Sequence, residues 1–393
     1  MSFRHLIGRF IMRNSMRLFS LIAFALGCTT ATGSLVASEI TPDELLAGTP
    51  LGVSQDSSGL VDDEEVLALS EEMRAFLEAN VVRRASEYVR LHQLLFAIIN
   101  QGTFGLEYDE STRTASETFR IRKGNCLSFS TMFIAMARAA GLEALYQEVD
   151  IPPDWTYRSD AFVLNRHVNV LIDLGAEGEK VVDFNIDDFM TNYDRRTISD
   201  ERALAHYFNN LGVERMQAGD TASSLSYFRK ALAENDRLFS PAWANLGILY
   251  LREGHGAYAE AAFLQALKAN PDDVVAMSNL AGLYEDQGDP ERAAAFKNRV
   301  ERHRKHNPYY RYHQAREAFL AGDYNTAISH LKYAVRKRKQ EDRFLFLLGL
   351  CYLQKGNEAA ARRWLAQAEE LAATDAQKHN YSNKVEMLLS EKE

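Results

Sequence analysis

The stretch GNCLSFSTMFIAMARAAG, residues 124–141, places a single cysteine where a helix is predicted to begin. Apolar residues after Cys126 recur at spacings of three and four, which is typical of a helix with a buried face. A thiol at a helix N-terminus lies beside unpaired backbone N–H groups and the positive end of the helix dipole, and both lower its pKa. Cys126 is therefore a candidate nucleophile, and the competing interpretation is a small buried core residue.

Two later residues could complete this chemistry. His167 lies 41 residues after Cys126, and Asp183 follows 16 residues after the histidine. Both fall in strand-like segments separated by a turn at Gly175–Gly178, so two adjacent antiparallel strands can place them side by side. An imidazole beside the thiol would act as its base and as a proton donor, and the carboxylate would hold the imidazole tautomer.

The elements that must position these residues change type along the chain. Helical periodicity begins near residue 63 and continues through the Cys126 helix. It is followed by β-branched and aromatic segments at 144–151, 161–174 and 180–186. Helices followed by strands predict an α+β domain, bounded at residues 63–198, with helices packed on an antiparallel sheet.

This arrangement resembles the transglutaminase-like core of the papain-like cysteine enzymes. The resemblance covers about residues 85–190. It rests on a Gly-x-Cys sequence that opens a helix ending in Ala-Gly-Leu, on a His at the start of a strand and on an Asp in the next strand. It implies Cys126 as the nucleophile, His167 as the general base and acid, and Asp183 as the orienting carboxylate.

Some positions depart from the family's habit. Aromatic residues commonly follow the family's His and Asp, whereas Val168-Asn169 and Phe184-Asn185 stand here, which leaves the substrate open. The sequence has no Gly-rich phosphate loop and no His/Cys cluster with zinc spacing. We therefore expect neither a cofactor nor a metal.

The donors that would stabilise an oxyanion are only partly assigned. The backbone N–H of Cys126 is one expected donor. Asn125, Tyr108 and Trp155 are candidates for a second.

The second half of the chain is helical and repeats. Glycines recur with spacings of 35, 34, 34 and 34 residues at Gly219, Gly254, Gly288, Gly322 and Gly356. A column of small residues keeps the same spacing at Gly212, Gly247, Ala281, Ala315 and Gly349. This period resembles tetratricopeptide repeats and predicts an all-α solenoid of about five units over residues 199–375, followed by a helical tail at 376–393.

Asparagine occupies one repeat position in three successive units, at Asn210, Asn245 and Asn279. A side-chain amide offers both a donor and an acceptor, so a row of amides could hold an extended peptide backbone. The competing interpretation is that these asparagines bond within the solenoid. If these asparagines bind a peptide backbone, we expect a groove that brings a protein partner, or a protein or peptide substrate, to Cys126.

The first residues have the composition of an export signal. Four arginines precede the apolar run at residues 18–28, which is too short to span a bilayer comfortably. Cys28 after Gly27 resembles the bacterial lipoprotein processing site. This implies a signal peptide at 1–28, a lipid on Cys28 that attaches the protein to the membrane, and an outer-membrane lipoprotein facing the periplasm.

Two alternatives to lipidation stay open. One is secretion as a soluble periplasmic protein, with cleavage near Ser38, and the other is an uncleaved anchor. Residues 29–62 are rich in Thr, Ser, Gly and Asp and are predicted to be a flexible tether.

The net charge of −9 argues against a general nucleic-acid binder. The sequence instead predicts an exported cysteine acyl-transfer enzyme that acts on peptide or amide bonds, with hydrolysis favoured over cross-linking by a transglutaminase reaction. The alternative is a non-catalytic adaptor that uses its repeats for protein–protein interaction.

Overall fold

The computed structural model describes residues 40–53, 59–99, 104–149, 155–158, 161–164, 167–184, 195–235 and 237–371. The predicted signal peptide with Cys28, and the predicted tail at 376–393, lie outside the described residues. No helix within the described ranges is long and apolar enough to cross a membrane.

The first part of the described chain combines short helices with strands. The helices are α1 (Pro42–Ala47), α2 (Asp63–Val66), α3 (Glu71–Asn80), α4 (Glu87–Ile99), α5 (Ala115–Ile121) and α6 (Cys126–Ala139). The strands are β1 (Glu107–Tyr108), β2 (Lys123–Gly124), β3 (Glu143–Val149), β4 (Trp155–Arg158), β5 (Ala161–Leu164), β6 (His167–Asp173), β7 (Glu179–Val182) and β8 (Arg195–Ile198).

Helix α6 is the central helix of this domain. The Asn125 side chain caps its first turn by accepting a hydrogen bond from the Ser128 N–H at 2.9 Å. The chain leaves the helix at Gly141, whose φ of 78° is a left-handed conformation that glycine adopts without strain. Residues 127–137 are all buried, because α6 packs against α5 on one side and against β3 and β6 on the other. Its first residue, Cys126, is thereby held at the edge of the sheet.

Antiparallel pairing in the order β7-β6-β3-β8 forms the sheet beneath α6. Val149 of β3 pairs with His167, and Val170 of β6 pairs with Val182 of β7. The expectation of helices packed on an antiparallel sheet is confirmed. The predicted single strand-like segment at 161–174 is instead divided, since β5 pairs with β4 in a separate two-stranded sheet.

The described chain after residue 199 forms helical hairpins. They are α7 (Asp200–Gln217) with α8 (Thr221–Ala233), α9 (Ser240–Arg252) with α10 (Gly256–Ala269), α11 (Val274–Asp286) with α12 (Pro290–His306), α13 (Pro308–Leu320) with α14 (Tyr324–Lys337), and α15 (Asp342–Gln354) with α16 (Glu358–Leu371). This is the all-α solenoid that the 34-residue period predicts.

The small-residue column has a direct steric cause. A Cβ placed on Gly247 would lie 2.6 Å from the ring of Phe263 on the second helix of the same hairpin. Gly212 has the same relation to Phe228, at 2.5 Å. The absence of a side chain at these positions lets the two helices of a hairpin approach closely.

The expected flexible tether at 29–62 is wrong for its described part. Helix α1 buries Leu45 completely against the first hairpins of the solenoid. The Tyr250 hydroxyl donates a hydrogen bond to the Leu45 carbonyl at 2.5 Å, and the Arg229 guanidinium donates to the Ala47 carbonyl at 2.7 Å. The composition of this segment is that of a loop, but its few apolar residues and its carbonyl groups have specific partners on the solenoid.

Replacement of Gly247 by Ala tests the steric role of the small-residue column. Because the added methyl group would overlap Phe263, we expect Gly247→Ala to lower the free energy of unfolding by about 1–3 kcal/mol. The matched control is Gly282→Ala in α11, where a Cβ meets no heavy atom within 4 Å and where alanine stabilises a helix by about 0.5–1 kcal/mol. Thermal unfolding of both variants measures the difference. Equal melting temperatures would show that the hairpins do not depend on this close approach.

Candidate active site

Cys126 is the first residue of α6 and is half-buried. Two groups of strand β6 contact its sulfur: the side chain of His167 and the backbone N–H of Val168 both form hydrogen bonds with it. The thiol therefore faces the start of the strand that carries the predicted histidine.

His167 and Asp183 form the other half of the site. The Nε2 atom of His167 lies 2.8 Å from both Oδ1 and Oδ2 of Asp183. Both side chains are buried, with 8% and 5% of their surfaces exposed. Since Nε2 contacts the carboxylate, Nδ1 is the ring nitrogen that remains for Cys126. The structure thus brings together the three residues that the sequence singles out, with Asp183 immediately after β7 rather than within it.

The pKa values of the Cys126 thiol and the His167 imidazole are shifted in directions that favour the same ion pair. Burial alone would raise the pKa of Cys126, but the hydrogen bond and positive charge of His167 and the Val168 N–H outweigh burial and hold this pKa below its usual range. Burial would lower the pKa of His167, yet the hydrogen bonds to Asp183 and Cys126 raise it to about 10. Both shifts favour a thiolate paired with an imidazolium over the neutral thiol and imidazole. By contrast, burial raises the pKa of Cys351 to about 12.

One further side chain belongs to this cluster. Asn169 is buried, with 1% exposed, and its Nδ2 donates a hydrogen bond to Oδ2 of Asp183 at 2.8 Å. In the sequence, Asn169 stands out only as a departure from the family's habit. The signal that could have found it is its position two residues after His167, because alternate residues of a strand share one face.

The thiol opens into a cavity of about 500 Å³. One wall consists of residues 108–112 and the first residues of α6, and the other consists of α7 and the start of α9. The first two hairpins of the solenoid therefore contribute to the same cavity as Cys126. We refer to this cavity as the interdomain chamber.

The three repeat asparagines have different surroundings. Asn210 and Asn245 line the interdomain chamber. The Nδ2 of Asn245 also donates a hydrogen bond to Oδ1 of Asn209 at 2.9 Å. Asn209 lines the chamber too, although it was not predicted from the sequence. Asn279 is not among the lining residues, and its Nδ2 donates to the Val275 carbonyl of its own helix at 3.0 Å. The repeat column is therefore not a uniform row of amides facing one cavity.

The candidate oxyanion donors also differ. Asn125 is engaged in local structure: its Nδ2 donates to Oγ1 of Thr112 at 2.8 Å, and its Oδ1 caps α6. Tyr108 lines the chamber and is 65% exposed. The side chain of Trp155 lies outside the described residues. The Cys126 backbone N–H stands in the first turn of α6, where N–H groups have no partner within the helix.

Direct contacts join the sheet domain to the first repeat helix. Oε1 of Glu148, on β3, lies 2.6 Å from Nε of Arg202 and 2.6 Å from Nε2 of His206, both on α7. Oε1 of Glu214, also on α7, accepts a hydrogen bond from the Thr112 N–H at 2.8 Å. These contacts fix the two walls of the interdomain chamber relative to each other.

Metal ligation has no candidate among the residues described, since they contain no group of three His, Cys, Asp or Glu side chains arranged to hold an ion.

Comparisons with known protein families agree with this division of the chain. Residues 77–170 match the transglutaminase-like superfamily. Residues 244–308 and 318–380 match tetratricopeptide repeats.

Individual relatives share only part of the chain. Anaphase-promoting complex subunit 3 of Schizosaccharomyces pombe is 26% identical over 159 residues, which are 40% of this chain and 24% of that protein. The uncharacterized protein ycf37 of Pyropia yezoensis is 32% identical over 69 residues, which are 18% of this chain and 39% of that protein. The matched segments thus span less than half the length of these relatives.

Similar solved structures include MamA, with 17% sequence identity and a TM-score of 0.24. The match covers 44% of this chain and 94% of the MamA chain. YrrB, described as a TPR protein with an unusual peptide-binding site, has 16% identity and a TM-score of 0.24, and the match covers 46% of this chain and 92% of the YrrB chain. From the family matches and the observed elements, the chain consists of a transglutaminase-like domain followed by tetratricopeptide repeats.

Proposed function

We propose that this protein is a cysteine hydrolase that cleaves an amide bond of a protein or peptide substrate, and that its tetratricopeptide repeats hold that substrate. The observation that carries the proposal is the contact of Cys126, His167 and Asp183 at a chamber whose opposite wall is the first two repeats. The sulfur-bearing residue of this cluster, Cys126, and the first repeat helices line one cavity.

The reaction follows from the protonation states of the site. The Cys126 thiolate attacks the substrate carbonyl carbon, and the C–N bond breaks as the His167 imidazolium gives its proton to the leaving amine. Neutral His167 then takes a proton from water, whose oxygen attacks the thioester and releases the acid and the thiolate. Asp183 accepts the Nε2–H throughout, so that Nδ1 keeps facing the sulfur. The Cys126 backbone N–H is oriented to stabilise the oxyanion.

The lining of the interdomain chamber suggests the kind of segment it takes. Side-chain amides of Asn209, Asn210 and Asn245 can bond a peptide backbone in either direction. The charged side chains of this lining include two carboxylates, Glu110 and Glu214, and the described lining contains no Lys or Arg. A neutral or basic polypeptide segment therefore fits the chamber better than an acidic one.

Export and anchoring belong to the same proposal. The basic and apolar N-terminus with Cys28 supports placement in the bacterial cell envelope, on an outer-membrane lipid anchor facing the periplasm. Secretion as a soluble periplasmic protein is the alternative.

The second candidate function is a non-catalytic adaptor. The match of residues 244–308 and 318–380 to tetratricopeptide repeats favours it, because this repeat architecture serves protein interaction. The two candidates differ in whether Cys126 is an activated thiolate.

The pH dependence of Cys126 alkylation tests the thiolate. Only the thiolate reacts, the thiol pKa is lowered, and His167 stays protonated up to about pH 10. The rate with iodoacetamide should therefore reach its plateau at a lower pH than the rate of an ordinary cysteine thiol. In His167→Ala burial and the negative charge of Asp183 both raise the thiol pKa, and the Val168 N–H alone opposes them. The plateau should then move to higher pH, with a rate at pH 6 that is lower by at least about tenfold. Mass spectrometry resolves the labelled residue, and identical profiles would favour the adaptor.

Substitution of the triad should separate chemistry from folding. We expect Cys126→Ala and His167→Ala to abolish amide hydrolysis, and Asp183→Asn to slow it less, while thermal unfolding changes little. Removal of an acid–base group alone lowers the rate by about 10²–10⁴-fold. Turnover of a peptide library by the three variants is the measurement. Full activity of Cys126→Ala would contradict the hydrolase.

The repeats supply a matched pair of variants for the solenoid side of the interdomain chamber. Asn210→Ala together with Asn245→Ala should weaken capture of peptides by the Cys126→Ala protein, because both residues line the chamber. Asn279→Ala is the control, since it stands at the same repeat position outside the lining. Cys126 alkylation should stay unchanged in both. Equal loss of capture in both variants, with equal loss of melting temperature, would make these asparagines structural.

Anchoring is tested by Cys28→Ser. If Cys28 carries the lipid, this variant should leave the membrane fraction and appear as a soluble pool or as an unprocessed precursor. Fractionation of cells that express each form measures the shift. A wild-type protein found wholly in the soluble periplasm would favour cleavage near Ser38.

A further inference from the structure

Asn169 contacts Asp183, the carboxylate partner of His167. It follows His167 by two residues in β6, so both side chains leave the same face of the sheet. Val170 pairs with Val182, and continuing this register places Asp183 opposite Asn169. The Nδ2 of Asn169 donates to Oδ2 of Asp183 at 2.8 Å, which is the distance of a strong hydrogen bond.

The orientation of the Asn169 amide is fixed by its surroundings. Rotating it by half a turn would place its Oδ1 against the Asp183 carboxylate, where two acceptors would repel each other. In the observed orientation, this Oδ1 is buried and has no hydrogen-bond partner among the described residues. An unsatisfied buried carbonyl group is unfavourable, so the amide contributes to the site through what Nδ2 does to Asp183.

We propose that Asn169 is a positioning residue that holds the Asp183 carboxylate ionised and aligned with Nε2 of His167. A donor on Oδ2 stabilises the charged carboxylate and restrains its rotation, so both oxygens stay within 2.8 Å of Nε2. The effect reaches Cys126 only through His167. The role rests on the proposed function, because it concerns the same thiolate and imidazolium.

Other ionisable groups also act on this carboxylate. His167 is its direct partner, Cys126 faces the other nitrogen of the imidazole, and the positive charge of Arg195 on β8 interacts with Asp183. Arg195 stays charged over the whole accessible pH range. The pH profile of the thiol therefore reports the imidazole and the carboxylate, and a change caused by Asn169 appears in that profile.

Asn169→Leu removes the donor while keeping a side chain of similar size. Asp183 should then stabilise the protonated His167 less, and the apparent pKa of the Cys126 thiol should rise by about one unit. The iodoacetamide rate at pH 6 should fall about tenfold, whereas the rate at the alkaline plateau should stay unchanged. The measurement is again alkylation of the full-length protein, with mass spectrometry identifying the labelled residue.

The chain offers a matched control in Gln147. This residue pairs with Asn169 across β3 and β6 and is also buried, and its side-chain carbonyl oxygen has no hydrogen-bond partner in the part of the chain that the structure describes. It makes no described hydrogen bond to Asp183. Gln147→Met should therefore leave the pH profile of Cys126 alkylation unchanged, whatever it does to the melting temperature.

Asn169→Asp is the second variant and keeps the shape of the side chain. It places an acceptor against the carboxylate, so alkylation at pH 7 should be slower than in Asn169→Leu. A purely structural role predicts the opposite order, because the isosteric change disturbs packing less. This variant also decides the question if Asn169→Leu does not fold.

The outcomes separate this inference from the proposed function. A wild-type profile with a lowered thiol pKa, together with wild-type profiles in both Asn169 variants, would overturn the positioning role and leave the hydrolase standing. A wild-type protein whose thiol pKa is not lowered would remove the hydrolase first. Profiles shifted in both Asn169 variants but not in Gln147→Met would support the positioning role.

Discussion

The buried carboxylate of Glu148 holds the two halves of the molecule together. Its side chain is 4% exposed, and its partners include Arg196 on β8 and Arg202 and His206 on α7. Removing a charge from water is costly, and these partners offset that cost. The next residue on the strand, Val149, pairs with His167. The strand that binds the solenoid is therefore the neighbour of the strand that carries the imidazole of His167.

This arrangement explains why the interdomain chamber exists. A solenoid attached only by a linker would have many orientations relative to the sheet domain. The Glu148 contacts select one of them, and the hydrogen bond between Thr112 and Glu214 selects the same one at the other end of α7. Together they keep the amides of the first repeats on the wall opposite Cys126.

The features that could be predicted from the sequence are those whose signals lie close together along the chain. The solenoid and the cysteine helix were predictable because their signals are local: a repeated spacing and a helical period. That Cys126, His167 and Asp183 meet was predicted from their places at a helix start and on two adjacent strands, together with the resemblance to the transglutaminase-like core.

The roles of Asn169 and Glu148 were not predictable in this way, since each depends on a partner in another element. The packing of α1 was missed for the same reason, because its contacts with Arg229 and Tyr250 are about 200 residues away in the sequence. The repeat asparagines show the opposite case. Equal positions in successive repeats suggested equal roles, but Asn245 lines the interdomain chamber and Asn279 does not, so the two asparagines have different surroundings.

The packing of α1 on the solenoid also bears on where the core is divided. Leu45 belongs to one continuous apolar core with the sheet domain and the first three helical hairpins. Its carbonyl accepts a hydrogen bond from Tyr250 on α9, and the Ala47 carbonyl accepts one from Arg229 on α8. A solenoid cut free at residue 199 would expose the surface that Leu45 covers, so the domain boundary in the sequence is not a boundary in the folded core.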